Sequence, residues 1–310
     1  MRSRRSPRVL VALEGANEVA VLSAGPRWRV MRRVRVAAGP HNLTASRALG
    51  LVAETCPPAD RVTVLGVAGR VVAAARVSGA PHDAAFVAGR HILWISAEAA
   101  GRLVALDPRT GRTLRTVPAG GRPHDLAVAP DGQRLWVTID GSDAVEIRDA
   151  ISSRLLRRAA LGGAPHDVAF APDGRQVWLS NVGSPLLTLA SAAGRRVGVL
   201  RAGSEPHHFA FGLGRLWASD NGGGALLRIG PGRRRVLGRT LVGPAPHHVA
   251  IAGRDVLVAV HGTGKVAVVS PSGRLRYLVR VGAGPHASTR CPATDRSKDP
   301  SASARRRCAA

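Results

Sequence analysis

The pair Pro-His occurs seven times in this chain, at His41, His82, His124, His166, His207, His247 and His286. The intervals are 41, 42, 42, 41, 40 and 39 residues, and seven of the eleven histidines fall in this register. A period of about 20–50 residues marks a solenoid, propeller or array, in which one supersecondary unit cannot bury its apolar face alone and stacks on its neighbours.

The unit can be read from its clearest copies, residues 122–140 (RPHDLAVAPDGQRLWVTID), 163–181 (GAPHDVAFAPDGRQVWLSN) and 80–98 (APHDAAFVAGRHILWISAE). After Pro-His comes an apolar run such as Leu126–Ala129, then the turn Pro130-Asp131-Gly132, then a second run, Leu135–Ile139. Pro-Asp-Gly between two β-prone runs is hairpin chemistry. A third run, such as Leu103–Leu106 or Val266–Val269, leads through a Pro/Gly turn to a fourth, such as Thr113–Val117 or Val236–Val242. Four strands and three turns in about 41 residues make one propeller blade.

Six blades lie complete between successive Pro-His pairs. Val9–Leu13, Glu18–Leu22 and Arg29–Val36 supply strands two to four of a seventh, and the segment after His286 supplies its innermost strand. The expected fold is therefore all-β: a seven-bladed β-propeller of four-stranded blades, with the closing blade shared between the N- and C-termini. Such closure removes the open edge. The weak point is Ala287–Cys291, which has no Val or Ile and runs into Pro292. The expected organisation is a basic tail over 1–8, the propeller over 9–293 and a disordered tail over 294–310.

The formal net charge is +25, nearly all of it arginine, since only Lys265 and Lys298 are lysines. Such a charge raises nucleic acid as a partner. The arginines are scattered rather than gathered on one element, as codon usage in a G- and C-rich genome also produces. The expectation is non-specific nucleic-acid binding if any. Cys56, Cys291 and Cys308 match no zinc or redox spacing. No run approaches the roughly 18 apolar residues of a membrane span. Val9–Leu13 is too short for a signal peptide, so the sequence as given reads as cytoplasmic by default.

The runs PHDVAFAPDGRQVWLSN and PHDLAVAPDGQRLWVTID resemble the YVTN-type β-propeller repeat. Trp136-Val137-Thr138 and Trp178-Leu179-Ser180-Asn181 stand where that family has Tyr-Val-Thr-Asn. The resemblance spans about Val9 to His286. It implies the fold and leaves function open, since such families include exported surface proteins and ligand-binding scaffolds. The tryptophan on strand two is also similar to the repeat of the virginiamycin B lyases, propeller enzymes that use a divalent metal.

Strands one and two of a blade are antiparallel, so each Pro-His should lie beside the end of strand two, at one mouth of the channel. This pairs His41 with Glu54, His82 with Glu98, His124 with Asp140 and His166 with Asn181. It also pairs His207 with Asp220, His247 with His261 and His286 with Glu14. Asp83, Asp125, Asp167, His208 and His248 add polar groups beside the histidines. Imidazoles converging on an axis can hold zinc, nickel, copper or iron, with His82, His124, His166, His207 and His247 as candidate ligands. The competing structural role is a Pro-His that fixes the loop between blades. Trp94, Trp136, Trp178 and Trp217, at blade spacing, read as packing between blades.

No residue stands out as a nucleophile. The leading expectation is therefore a non-catalytic binding or scaffold propeller, monomeric, that takes a small molecule or protein at its His-rich mouth. The alternative is a metal-dependent propeller lyase or hydrolase of the virginiamycin B lyase type.

Overall fold

The computed structural model describes residues 6–67 and 69–290. It contains seven four-stranded antiparallel sheets. The blades are numbered here from the split one. Blade 1 is Arg8–Leu13, Glu18–Ser23 and Arg29–Arg35 completed by Pro285–Arg290. Blades 2 to 7 have as innermost strands Leu43–Ser46, Pro81–Phe86, Arg122–Val128, Pro165–Phe170, Pro206–Gly212 and Pro246–Ala252. Among the described residues no helix is long and apolar enough to cross a membrane. The tail expected over 294–310 lies outside the described residues, as do Cys291 and Cys308.

Closure is a strand pairing. Val9, Leu10 and Val11 pair with Arg290, Thr289 and Ser288, and Leu13 with Pro285. The segment with poor strand composition forms a strand because its partner, buried over Val9–Leu13, presents an edge that must be filled. Neighbouring blades then bury their faces against each other. Val9, Val11, Leu13, Ala20 and Leu22 of blade 1 share one core with Leu257, Val266 and Val268 of blade 7. Outer strands are largely exposed, as in Leu155–Ala160 and Thr113–Pro118, so the apolar layer lies in the inner three strands.

The strand-two tryptophans hold the blades together. Trp94, Trp136, Trp178 and Trp217 are at most 1% exposed. Trp94 Nε1 donates to the Ala150 carbonyl of blade 4 at 2.8 Å, and Trp136 packs edge-on against Phe170 of blade 5. Trp28 on the split blade donates to Asp255 of blade 7 at 2.8 Å. Burying a tryptophan that deeply predicts that Trp136→Ala lowers unfolding free energy by about 3–5 kcal/mol. Denaturant unfolding checks this, and a loss below about 1 kcal/mol would count against inter-blade packing as the role.

Candidate functional site at the channel mouth

Each innermost strand of blades 1 and 3–7 slips by one residue against strand two, directly at Pro-His. Pro123 opposes Ile139 while Leu126 opposes Val137, and the same single-residue bulge recurs at Pro81, Pro165, Pro206, Pro246 and Pro285. A strand without a bulge sends successive side chains to opposite faces, whereas a bulge re-aims one of them. Here the histidine and the residue after it both take part in packing around the channel. The backbone before the bulge is held unusually: Ala80, Ala164 and Ala245 have φ of 57, 52 and 49°. Their carbonyls accept from the amides of Glu98, Val182 and His261.

The seven imidazoles close into a ring. Going round, the centroid separations are 4.6 Å for His41–His82, 3.8 Å for His82–His124, 4.3 Å for His124–His166 and 4.4 Å for His166–His207. They continue with 4.4 Å for His207–His247, 3.8 Å for His247–His286 and 3.8 Å for His286–His41. A seven-sided ring with such edges has a radius of roughly 5 Å, the scale of a propeller's central channel. His41 Nε2 and His82 Nε2 are 3.0 Å apart, one donating to the other.

The following residues form a second, buried layer. Asn42 Nδ2 donates to Asp83 at 2.5 Å. Asp83 accepts from the Leu126 amide at 2.7 Å and Asp167 from the Phe209 amide at 3.0 Å, so each carboxylate ties its blade to the next. Asp125 differs. It is 2% exposed, neither oxygen has a hydrogen-bond partner, and Nδ1 of His82, His124 and His166 stand 3.5, 3.5 and 3.7 Å away. His208 and His248 stack at 3.6 Å.

Strand-two hydroxyls, which sequence reasoning passed over, anchor both layers. Thr55, Ser96, Thr138, Ser180 and Ser219 accept from the amides of Asn42, Asp83, Asp125, Asp167 and His208. Thr55 and Ser96 also donate to the carbonyls of His82 and His124 in the following blade. The signal was present in the Thr or Ser after Trp-Val, Trp-Leu, Trp-Ile and Trp-Ala.

The rim residues divide into two groups. Glu98 and Asp140 share Arg122, at 2.5 and 3.1 Å, beside His124. Glu14 reaches His41 and His261, each at 3.5 Å, and its carboxylate groups with His41 and His286. His261 also lines a shallow cavity of about 490 Å³ with Thr263 and Arg280. The other group turns away. Strand two of blade 2 runs on to Cys56, so Glu54 is not at its end. Glu54 pairs with Leu43, is fully buried and accepts from the Cys56 thiol at 2.6 Å, while the His41 amide donates to the Thr55 carbonyl. Asp220 caps the loop before His207 by accepting from the amides of Ser204 and Glu205. Asn181 bonds within its own blade, to Leu186 and Thr188.

Burial and charge polarise the ring. Burial lowers His166 to about 3, His207 to about 4 and His248 to about 3, and lowers His208, His247 and His286 as well. Burial also opposes charge on His124, but the Asp125 carboxylate outweighs it and raises His124 to about 9. Burial raises Glu54 to about 7 against the bonds from Cys56 and Thr63. The ring thus holds a proton on His124, while burial disfavours charge on His82 and His166, which also face Asp125, and on His207, His247 and His286.

No family model matches the chain, and no curated protein sequence does either. Solved structures do match. A periplasmic gluconolactonase of Pseudomonas aeruginosa has a TM-score of 0.76 at 18% identity, covering 93% of this chain and 99% of that one. A putative 6-phosphogluconolactonase of Bacteroides fragilis has a TM-score of 0.76 at 15% identity, covering 94% and 99%. A catalytically inactive virginiamycin B lyase of Staphylococcus aureus with quinupristin has a TM-score of 0.67 at 16% identity, covering 77% and 83%. At these identities the likeness establishes the seven-bladed propeller. It also corrects the leading expectation of a non-catalytic scaffold: propellers named as lactonases are among the structural neighbours, which favours the catalytic alternative.

The polarised ring makes stability depend on pH with a definite sign. For His166, His207 and His248 the unfolded chain takes up protons near pH 6.5 that the native state refuses until about 3–4. Their contribution is therefore present above about pH 6.5 and lost as pH falls. For His124 it is complete below about pH 6.5 and lost as pH rises through about 9. Thermal unfolding should show a midpoint that peaks near neutrality and falls on both sides. Asp125→Asn should remove the alkaline fall, and a midpoint unchanged between pH 5 and 7 would refute the buried neutral imidazoles.

Proposed function

We propose that this chain is a metal-dependent hydrolase or lyase that acts, as a monomer built of YVTN-type blades, on a small molecule at the histidine-bearing mouth. The observation that carries the reading is the closed ring of seven imidazoles with the Glu14 carboxylate at its edge. A structural Pro-His would need a bond to a neighbouring loop. Only His286, whose Nδ1 donates to the His41 carbonyl at 2.9 Å, makes such a bond among the ring histidines.

Two groups suit opposite halves of proton transfer. Glu14 is held below the usual carboxylate range by its bond to His41, with His261 adding to it, and is partly exposed. It is the base, taking a proton from water or from a substrate carbon. His124 carries a proton at neutral pH and is the acid, donating to a leaving oxygen. The candidate ligands for a divalent cation are His82, His124, His166, His207 and His247. The proton on His124 disfavours it as a ligand, whereas neutral imidazoles fit. A divalent cation bound there supplies Lewis-acid polarisation of a carbonyl. Glu98, Asp140 and His261 at the rim contact the substrate. Glu54 and Asp220 support the mouth from within, because one oxygen of each is engaged, by Cys56 and by the loop amides respectively.

Cyclic esters are the first substrates to test, since lactonases of this architecture are named among the neighbours. The full chain should open lactones or eliminate across esters only with a divalent cation present. Glu14→Gln should lower kcat by about 100-fold or more with an unchanged unfolding midpoint. No turnover across a lactone and cyclic-ester panel, or full activity in the variant, would sink the reading.

A further inference from the structure

The residue after the ring histidine varies around the ring. Blade 2 has Asn42 and blade 1 has Ala287; blades 3, 4 and 5 have an aspartate, Asp83, Asp125 and Asp167, whereas blades 6 and 7 have a second histidine, His208 and His248. The two double-histidine blades are adjacent. Their imidazoles stack at 3.6 Å, and His247 lies 4.8 Å from His208 and 3.8 Å from His286. Five imidazoles therefore crowd one side of the channel. Ligand nitrogens of His207, His208 and His247 lie within 4.8 Å of one another, and so do those of His247, His248 and His286. His247 belongs to both sets.

Three of the five outer nitrogens of this arc face a carboxylate or carbonyl, whereas Nδ1 of His207 has no partner and Nδ1 of His247 lies 3.2 Å from Nδ1 of His248. His208 Nδ1 faces the Asp167 carboxylate at 3.4 Å. His248 Nδ1 donates to the His286 carbonyl at 3.2 Å, and His286 Nδ1 to the His41 carbonyl at 2.9 Å. A metal-ligating histidine typically donates its other ring N–H to a carboxylate or carbonyl, which fixes the tautomer and frees Nε2 as ligand. Farther round the ring, three Nδ1 atoms converge on the single Asp125 carboxylate, which also lies within 4.8 Å of ligand atoms of Asp167 and His208. That side is arranged around an anion.

We infer that one divalent transition-metal ion of the zinc or copper type is held off the axis by the imidazole arc centred on His247, with ligands from His207, His208, His248 and His286. Imidazole nitrogen is the ligand these ions prefer, and zinc takes about four at 2.0–2.1 Å. The site moves the metal away from His82, His124 and His166, and it stands whether or not the chain proves to be a hydrolase or lyase.

The test uses the full chain, stripped with a chelator and titrated with zinc alone. Equilibrium dialysis with elemental analysis reads stoichiometry, and cobalt(II) absorption reads coordination. One equivalent is expected, with the visible bands of a low-coordinate imidazole site. His247→Ala, and separately His208→Gln, should weaken binding by about 100-fold or more, while His82→Ala should change it by less than about threefold. Circular dichroism and thermal unfolding establish that each variant is folded, and His248→Gln serves if His208→Gln is not. Equal losses from His82→Ala and His247→Ala would place the ion on the whole ring and overturn the assignment. So would zinc binding that survives His247→Ala, or no binding tighter than that of a surface histidine.

Discussion

The antiparallel pairing of Arg8–Leu13 with Pro285–Arg290 is the constraint on which the mouth of the channel depends. It closes the ring of blades, and with seven blades closed the innermost strands approach one another around a narrow axis. The spacing of the imidazoles is then set by blade number rather than by any local bond: neighbours sit 3.8 to 4.6 Å apart all the way round. An open array of the same repeats would carry the same histidines with no common centre.

Closure alone would give one polar ring. The bulge at Pro-His gives two, because it lets the following residue join the channel wall instead of the opposite sheet face. That second layer is where the blades differ, with amide in blade 2, carboxylate in blades 3 to 5, imidazole in blades 6 and 7, and methyl in blade 1. The differences convert a symmetric ring into a polarised one. Asp125 holds positive charge on His124, while the far side is buried among neutral imidazoles. One channel mouth thus carries a protonated imidazole and neutral ones side by side.

Much of this was legible in the sequence. The Pro-His period gave blade number, strand order and the split blade, and the antiparallel argument placed the histidines together at one mouth. Three features were not legible, for physical reasons. The bulge is invisible because an extra residue in a strand changes register without changing composition. Glu54 lies three residues short of the position Asp140 holds in blade 4, because Thr55 stands where other blades have their anchoring Ser or Thr, and Cys56 beyond it still belongs to the strand. His208 and His248 were seen as extra polar groups, although their meaning lies in being neighbours across two blades, which only closure reveals.

The central claim is that the seven imidazoles form one polarised centre. Nitrogen-15 NMR of histidine-labelled, metal-free protein tests it most directly, because the two ring nitrogens report protonation and tautomer residue by residue. At pH 7 the account predicts His124 as an imidazolium with both nitrogens protonated, and His208, His247, His248 and His286 as neutral rings. Seven ring histidines titrating together near pH 6.5, as solvated side chains do, would contradict it.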